Sequence, residues 1–299
     1  MAAPPLGFVG FGEAGSRMAA GLREAGVTEL FAYEIAAERV RPRAEECGVR
    51  LVASNAELAE CCAIIFSVVT AASAVDAARQ NQPHLQAQHI YVDCNSVSPA
   101  TKREIADVIQ CGPARFVEVA ILAPVPKKRG QSVPMLANGH AAAALADQLN
   151  SFGFSIEPLC DPVGAAAAVK MCRSIVIKGL EALLTECVLA ASHFGTEDRV
   201  FASLQQAYPG IEWKRVADYM VNRVTVHGER RAREMEEVAR MLRGAGIDPI
   251  MAEATARRQD WSAQLGLASH FGPEGPATYR EVLEILEGGK IPMGPRGLP

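Results

Sequence analysis

Hydrophobic and polar positions along this chain follow two regimes, and the change falls near residue 165. Before it, short apolar runs alternate with amphipathic stretches. The runs at 6–9, 29–34, 49–52, 63–69, 89–93, 115–121, 133–137 and 155–159 predict strands. Residues 63–69 are apolar almost without interruption, as in a parallel sheet covered on both faces. The intervening stretches predict helices: Ala14, Met18 and Leu22 share one face, and Ser54 with Glu57 forms a capping box. Further helices are predicted over 70–81, 100–109 and 141–152. Such alternation predicts an open α/β sheet. After Gly195 the strand signal stops. Residues 198–207, 211–226, 229–245, 249–265 and 276–287 predict helices, with breaks at Tyr208-Pro209-Gly210, His227-Gly228 and 244–249.

Between the two regimes lie thirty proline-free residues bounded by Gly164 and Gly195. As one helix they would span about 45 Å, closed by a left-handed cap at Gly195. Most of this surface is apolar, as in a buried helix. A polar stripe interrupts it at Lys170, Ser174 and Lys178, continued by Glu181 and Thr185. The four alanines at 165–168 allow another backbone to approach just before Lys170. The expected organisation is an α/β domain with a doubly wound parallel sheet (1–162), a long interdomain helix (163–195) and an all-α C-terminal domain (196–299).

Length and a hydrophobic content of 49% in 299 residues support two sizeable cores. The net charge of −4 provides no basic field for nucleic acid or an anionic membrane. The opening MAAPPLGFVGFG lacks the basic residues and apolar run of a signal peptide. Even the long helix carries Lys170, Arg173, Lys178 and Glu181, so no spanning helix is expected. The eight cysteines show no metal-ligand spacing; Cys61-Cys62 are adjacent, poor geometry for a disulfide or a zinc site, and most of the others sit in apolar runs, as reduced core cysteines do. These features predict a soluble, cytoplasmic protein that holds no metal.

The chemistry begins at Gly10-Phe11-Gly12-Glu13-Ala14-Gly15, a G-x-G-x-x-G turn between the first strand and its helix. One glycine is needed for the tight turn, one for approach to a pyrophosphate and one for helix–strand packing. The helix start adds N–H groups and a positive dipole end. The second strand ends at Glu34, nineteen residues after Gly15, where an acid meets the ribose diol of a dinucleotide. A 2′-phosphate would face that carboxylate, so NAD is expected over NADP. Arg39, Arg41 and Arg43, on the following helix, are expected to face solvent. Ligands of such sheets lie beyond the carboxyl ends of the strands. That places the glycine turn, Val68, Val69, Thr70, Ser96, Ile121 and Leu122 along one crevice. Ser96 reads either as a helix N-cap or as a cofactor contact. Lys127-Lys128-Arg129 reads as a solvated loop or an anion-binding one.

These segments resemble the β-hydroxyacid dehydrogenase family, relatives of the hydroxyisobutyrate and phosphogluconate dehydrogenases. The family's G-x-G-x-M-G-x-x-M-A is similar to residues 10–19, and its D-x-S-T-x-S-P to Asp93-Cys94-Asn95-Ser96-Val97-Ser98-Pro99. Its G-x-G-x-x-x-K-x-x-x-N resembles the stretch from Gly164 through Lys170 to Ser174, which implies Lys170 as catalytic lysine, with Ser174 where the family has asparagine. The substrate-loop motif D-A-P-V-S-G-G is replaced by Glu118-Val119-Ala120-Ile121-Leu122-Ala123-Pro124. Arg233-Glu234-Met235 roughly aligns with a lysine–aspartate pair, making Arg233 a substrate-site candidate. The resemblance implies a Rossmann-type N-terminal domain, an α-helical C-terminal domain and a homodimer around the long helix. It implies hydride transfer between nicotinamide and a small hydroxyacid, with Lys170 as general acid/base and Ser174 hydrogen-bonding the substrate. The lost serine and glycines, with basic Lys127 and Arg233 nearby, favour an anionic substrate. Two alternatives stand beside this reading: an imine or ketone reductase on the same scaffold, and a non-catalytic dinucleotide-binding regulator.

Overall fold

The computed structural model describes residues 3–123 and 133–287. It divides into two compact units, residues 1–171 and 172–299.

The first unit is built on one eight-stranded sheet. In chain order it comprises β1 (Leu6–Val9), α1 (Glu13–Glu24), β2 (Leu30–Tyr33), α2 (Ala37–Glu46), β3 (Arg50–Leu51), α3 (Asn55–Cys61) and β4 (Ile64–Ser67). Then come α4 (Ala74–Asn81), β5 (Ile90–Asp93), α5 (Pro99–Gln110), β6 (Arg115–Ile121), β7 (Pro134–Asn138), α6 (Ala142–Asn150) and β8 (Ser155–Pro158). The strand order is β3-β2-β1-β4-β5-β6-β7-β8. Alternate residues of each central strand enter cores on opposite faces. Leu6, Phe8, Phe66, Val92 and Val117 pack on one side, while Val9, Ile65, Tyr91 and Phe116 pack on the other. Both faces are therefore covered, and the chain switches direction between β1 and β4, as in a doubly wound sheet. Ser54 caps α3 as expected, its Oγ accepting the Glu57 N–H at 3.1 Å, while the Glu57 carboxylate reaches one residue past the cap to accept the Ala53 N–H at 2.8 Å.

One sequence expectation needs correction. The sheet is not wholly parallel, because β7 runs antiparallel to β6 and β8 lies parallel to β7. Residues 122–133 sit at the lower limit for a helical crossover, and the chain takes the antiparallel neighbour that a shorter connection permits.

The long helix α7 (Ala165–His193) is continuous over 29 residues. It ends as expected at Gly195, with φ +58 and a Thr196 N–H bond back to the Ala191 carbonyl at 2.9 Å. The second unit adds α8 (Glu197–Ala207), α9 (Trp213–Gly244), α10 (Ile250–Gln264) and α11 (Tyr279–Glu287). Val188, Phe201, Val221, Leu283 and Leu286 lie in its core.

The break expected at His227-Gly228 is present: His227 takes the non-helical φ −124 and ψ 15, so α9 is two helices joined across a kink. Gly228 also serves close packing, since a Cβ there would lie 2.5 Å from the Gln259 carbonyl on α10. Among the cysteines, only Cys62 and Cys94 are buried, while Cys111, Cys160 and Cys172 are exposed. No helix among the described residues is long and apolar enough to cross a membrane.

Candidate functional site

The glycine turn gives each glycine a different task. Gly10 has φ +83, and a Cβ there would strike the Val68 carbonyl at 2.9 Å and Val69 Cγ1 at 2.8 Å. A Cβ on Gly15 would sit 3.1 Å from the Gly10 carbonyl and 3.1 Å from Val68 Cγ2. A Cβ on Gly12 would meet no heavy atom within 4 Å. Gly10 thus makes the turn, Gly15 seats α1 against it, and Gly12 leaves one side open for another molecule to approach. Glu13 and Ala14, exposed at the helix start, offer N–H groups on that open side. This cradle fits a dinucleotide pyrophosphate.

Glu34 closes the turn from the side. Its Oε2 accepts the Phe11 N–H at 2.9 Å and its Oε1 the Ala36 N–H at 3.2 Å. Phe11 therefore serves the turn by anchoring Glu34, and its ring is buried against Phe8. A fixed, half-buried carboxylate with spare lone pairs stands where ribose hydroxyls would donate. Arg39, Arg41 and Arg43 are exposed as expected, and Arg41 pairs with Glu38.

At the ends of β4 and β5 the sequence reading missed the main organiser. Buried Asn95 accepts the Val69 N–H at 2.7 Å and donates to Ser67 Oγ at 2.9 Å and to Asp93. Asp93 in turn pairs with Lys102, both fully buried. This network fixes the turn on which Ser96 stands. Ser98, not Ser96, caps α5, accepting the Thr101 N–H at 3.1 Å. Ser96 is exposed and instead accepts a hydrogen bond from Lys170 Nζ at 2.7 Å. Cys94 between them is inert, since burial pushes its thiol up to about 12. Thr70, past the end of β4, is exposed and bonds Ser73 Oγ at 3.0 Å.

Lys170 owes its place to the start of α7. Ala166 and Ala167 are buried, and Ala166 packs with Ala120, Leu136 and the half-buried Leu122. Ile121, at the end of β6, is buried. Beneath this contact lies Glu118, fully buried in β6. Its Oε1 accepts the Gly164 N–H at 2.8 Å, the Ala166 N–H at 3.3 Å and Asn138 Nδ2 at 3.3 Å. The carboxylate satisfies helix-start donors that have no partner within the helix, and it faces the positive end of the dipole. One acid inside the otherwise apolar F-V-E-V-A-I was the signal available in the sequence. Lys127, together with Lys128 and Arg129, lies outside the described residues.

Ser174 follows Lys170 by one turn of α7 and belongs to the helical unit. There its Oγ accepts from Lys178 Nζ at 2.9 Å, and Lys178 pairs with Glu234 at 3.0 Å. Arg233 does not join this group; its side chain is 64% exposed and pairs with Glu236 at 2.8 Å on its own helix. The charged stretch after His227 is thus only partly a salt-bridged surface. Arg231 turns inward and grips buried Glu181, which Gln259 also binds at 2.9 Å. Among the described residues no group of three or more His, Cys, Asp or Glu could hold a metal ion.

Comparison with known proteins agrees with this architecture. Residues 5–150 match the NAD binding domain of 6-phosphogluconate dehydrogenase, and residues 191–262 match a domain of unknown function, DUF1932. A solved structure of a conserved hypothetical protein from Sinorhizobium meliloti 1021 is 34% identical, with a TM-score of 0.76, covering 95% of this chain and 96% of that one. An uncharacterised 28.5 kDa protein of Methanothermus fervidus is 30% identical over 253 residues, 84% of this chain and 95% of that protein. The mitochondrial 3-hydroxyisobutyrate dehydrogenase of Drosophila melanogaster is 24% identical over 212 residues, 70% of this chain and 64% of that enzyme. With a glycine turn that fits a dinucleotide and relatives along nearly its whole length, the chain belongs to the β-hydroxyacid dehydrogenase family of NAD(P)-dependent oxidoreductases, in a less-characterised branch.

Proposed function

We propose that this protein oxidises a small, anionic hydroxyacid, or runs the reverse reduction, with Lys170 as general acid/base. The observation that carries the reading is the 2.7 Å bond from Lys170 Nζ to Ser96 Oγ, at the end of the strand beside the one that flanks the glycine turn. A bound nicotinamide would supply the hydride acceptor or donor. In the oxidative direction Lys170, as a neutral amine, takes the hydroxyl proton while hydride leaves the same carbon. In the reductive direction its ammonium returns that proton to the forming alkoxide. Ser174 holds the substrate one helical turn further on. Glu34, fixed by two backbone N–H groups, favours NAD over NADP.

The reading extends to a homodimer. Along α7, Val176, Leu183 and Phe194 are 68%, 57% and 74% exposed, and with Leu180, Cys187 and Ala190 they repeat at alternating intervals of four and three. Such spacing forms a continuous apolar seam suited to another helix.

The test is an absorbance screen for reduced nicotinamide across small 2- and 3-hydroxyacids, 3-hydroxyisobutyrate included, with NAD and NADP. The cyclic imine 1-pyrroline with both reduced cofactors forms the second arm. Turnover of carboxylated substrates, lost in Lys170→Met, supports the reading. Equal efficiency on a neutral alcohol and its carboxylated analogue removes the anionic-substrate part, and Lys170→Met that keeps turnover removes the acid/base part.

A further inference from the structure

Alternation along β6 sends the two apolar residues at its carboxyl end to opposite sides of the sheet. Ile121 goes with Val117 and Val119 into the core on one face. Glu118, Ala120 and Leu122 share the other face, against which the start of α7 packs. Glu118 takes the Gly164 and Ala166 N–H groups, Ala120 packs with Ala166, and Leu122 is the last residue of the row. Ligands of an open α/β sheet lie beyond that end of the strands.

Leu122 and Lys170 border the same space. Ala166, in whose cluster Leu122 packs, precedes Lys170 by one turn on the same face of α7. A long helical side chain leans back over the turn before its own Cα. The methylenes of Lys170 therefore lie toward Ala166, while Nζ ends at Ser96 Oγ, 2.7 Å away. The side-chain surface offered there is apolar. Leu136 and half-buried Leu159 extend it, and no side chain from Ala120 to Ala123 has a polar atom. The Leu122 N–H is spent on the Pro134 carbonyl at 3.0 Å. Leu122 itself is only half-buried, which leaves part of its side chain for a bound molecule to cover.

We propose that Leu122 is a specificity-determining residue, which covers an alkyl substituent on the reacting carbon of the substrate. The inference rests on the reading of Lys170 as general acid/base, whose Nζ meets the oxygen on that carbon. It narrows the substrate class to hydroxyacids with an alkyl rather than a hydroxylated side chain. An alkyl group laid on Leu122 removes apolar surface of both from water. A hydroxyl in the same place exchanges its hydration for a side chain that neither gives nor accepts a hydrogen bond. Because Leu122 is half-buried, the hydroxyl is disfavoured and not barred, so the selection is graded.

Matched substrates on the full chain test this. In 2-hydroxybutyrate the reacting carbon bears an ethyl group, and in glycerate oxidised at C2 it bears a hydroxymethyl group of nearly the same size. 3-Hydroxypentanoate and 3,4-dihydroxybutyrate, oxidised at C3, make the same comparison for 3-hydroxyacids. Each is assayed as substrate, with its product identified by chromatography, and as competitive inhibitor of the best hydroxyacid of the screen above. The ethyl compound of at least one pair is expected to exceed its partner by about tenfold or more, the scale of one apolar contact in a pocket. The ratio is read in kcat/KM, or in inhibition constants where turnover is absent. Leu122→Ser should bring that ratio within about threefold, and Leu122→Met, which keeps the apolar surface, should hold it. Titration with NADH by fluorescence and thermal melting confirm folding. Leu122→Thr, β-branched and suited to a strand end, carries the arm if the serine variant does not fold. A hydroxymethyl compound equal to or better than its ethyl partner in both pairs would overturn the inference. So would a ratio unchanged in the folded serine or threonine variant, or no binding of any of these compounds while another hydroxyacid is turned over. If Lys170→Met is dead while both ratios stay near one, this inference falls and the role of Lys170 stands. If Lys170→Met retains turnover, or no hydroxyacid is turned over, the parent reading falls and takes this inference with it.

Discussion

The two units satisfy their buried polar groups in opposite ways. In the α/β unit, side chains at strand ends accept from backbone: Glu34 from Phe11 and Ala36, Asn95 from Val69, Glu118 from Gly164 and Ala166. In the helical unit, side-chain charge meets side-chain charge: Arg231 on Glu181, Lys178 on Glu234. The reason lies in where each backbone leaves unpaired groups. Loops and helix starts beyond a sheet edge have N–H donors with no ladder partner, and acceptors must be brought to them. Helix interiors satisfy themselves, so their side chains are free to pair across helices and set rotation and register. Asp93–Lys102 is the exception, a buried ion pair within the α/β unit, and it props the one loop that receives Lys170.

This contrast can be broken at chosen points. The largest effect belongs to the site that the backbone-acceptor network builds. Lys170→Met should lower turnover by about 10²–10⁴-fold and leave NADH affinity within a few-fold, read by single-turnover absorbance and fluorescence titration. In the helical unit, Arg231→Met removes the guanidinium that grips buried Glu181 and leaves Gln259 as its hydrogen-bond partner. Loss of one partner of such a pair costs about 3–5 kcal/mol, visible as a lower midpoint in urea. A midpoint unchanged from wild type would show that the pair contributes nothing to this unit.

A third perturbation separates the two designs by pH. The Glu234 carboxyl is held at about 2, below its ordinary 4.5, so its contribution to stability is complete above pH 4.5 and lost as pH falls toward 2. Between those limits the wild type should lose up to about 3 kcal/mol more than Glu234→Gln. Parallel stability curves for the two proteins would contradict the assigned ionisation. The smallest effect is expected at Glu34. Glu34→Ala frees the Phe11 N–H and removes the charge facing a 2′-phosphate, so the ratio of NADPH to NADH dissociation constants should fall about tenfold. Tighter NADPH binding in the wild type would assign the choice to the exposed arginines of α2.

How much of this could be read beforehand differs between the units for the same reason. The glycine turn, the acid at position 34 and the cap at Ser54 are local: each partner lies within a short stretch and each has a turn or cap that only certain residues allow. Glu118 and Gly164 are 46 residues apart, and nothing in the sequence marks Lys102 as the buried partner of Asp93. Lys178 and Glu234 meet only after α7 and α9 pack. The break at His227-Gly228 was legible in the sequence, but that Gly228 also admits the α10 backbone was not, because a glycine that interrupts a helix and one that admits a neighbouring helix have the same sequence signature.

By itself the sequence determined the alternation of strands and helices, the dinucleotide turn, the unbroken helix from 165 to 193 and the lysine on it, because hydrophobic period, glycine and proline act over a few residues. Tertiary structure alone decided the reversed direction of β7 and β8, the inward turn of Arg231, the role of Glu118 at the start of α7 and the pairing of Lys178 with Glu234. A carboxylate or an ammonium carries no mark in the sequence of which distant partner will desolvate it, and that partner fixes whether it is a solvated surface charge or part of a site.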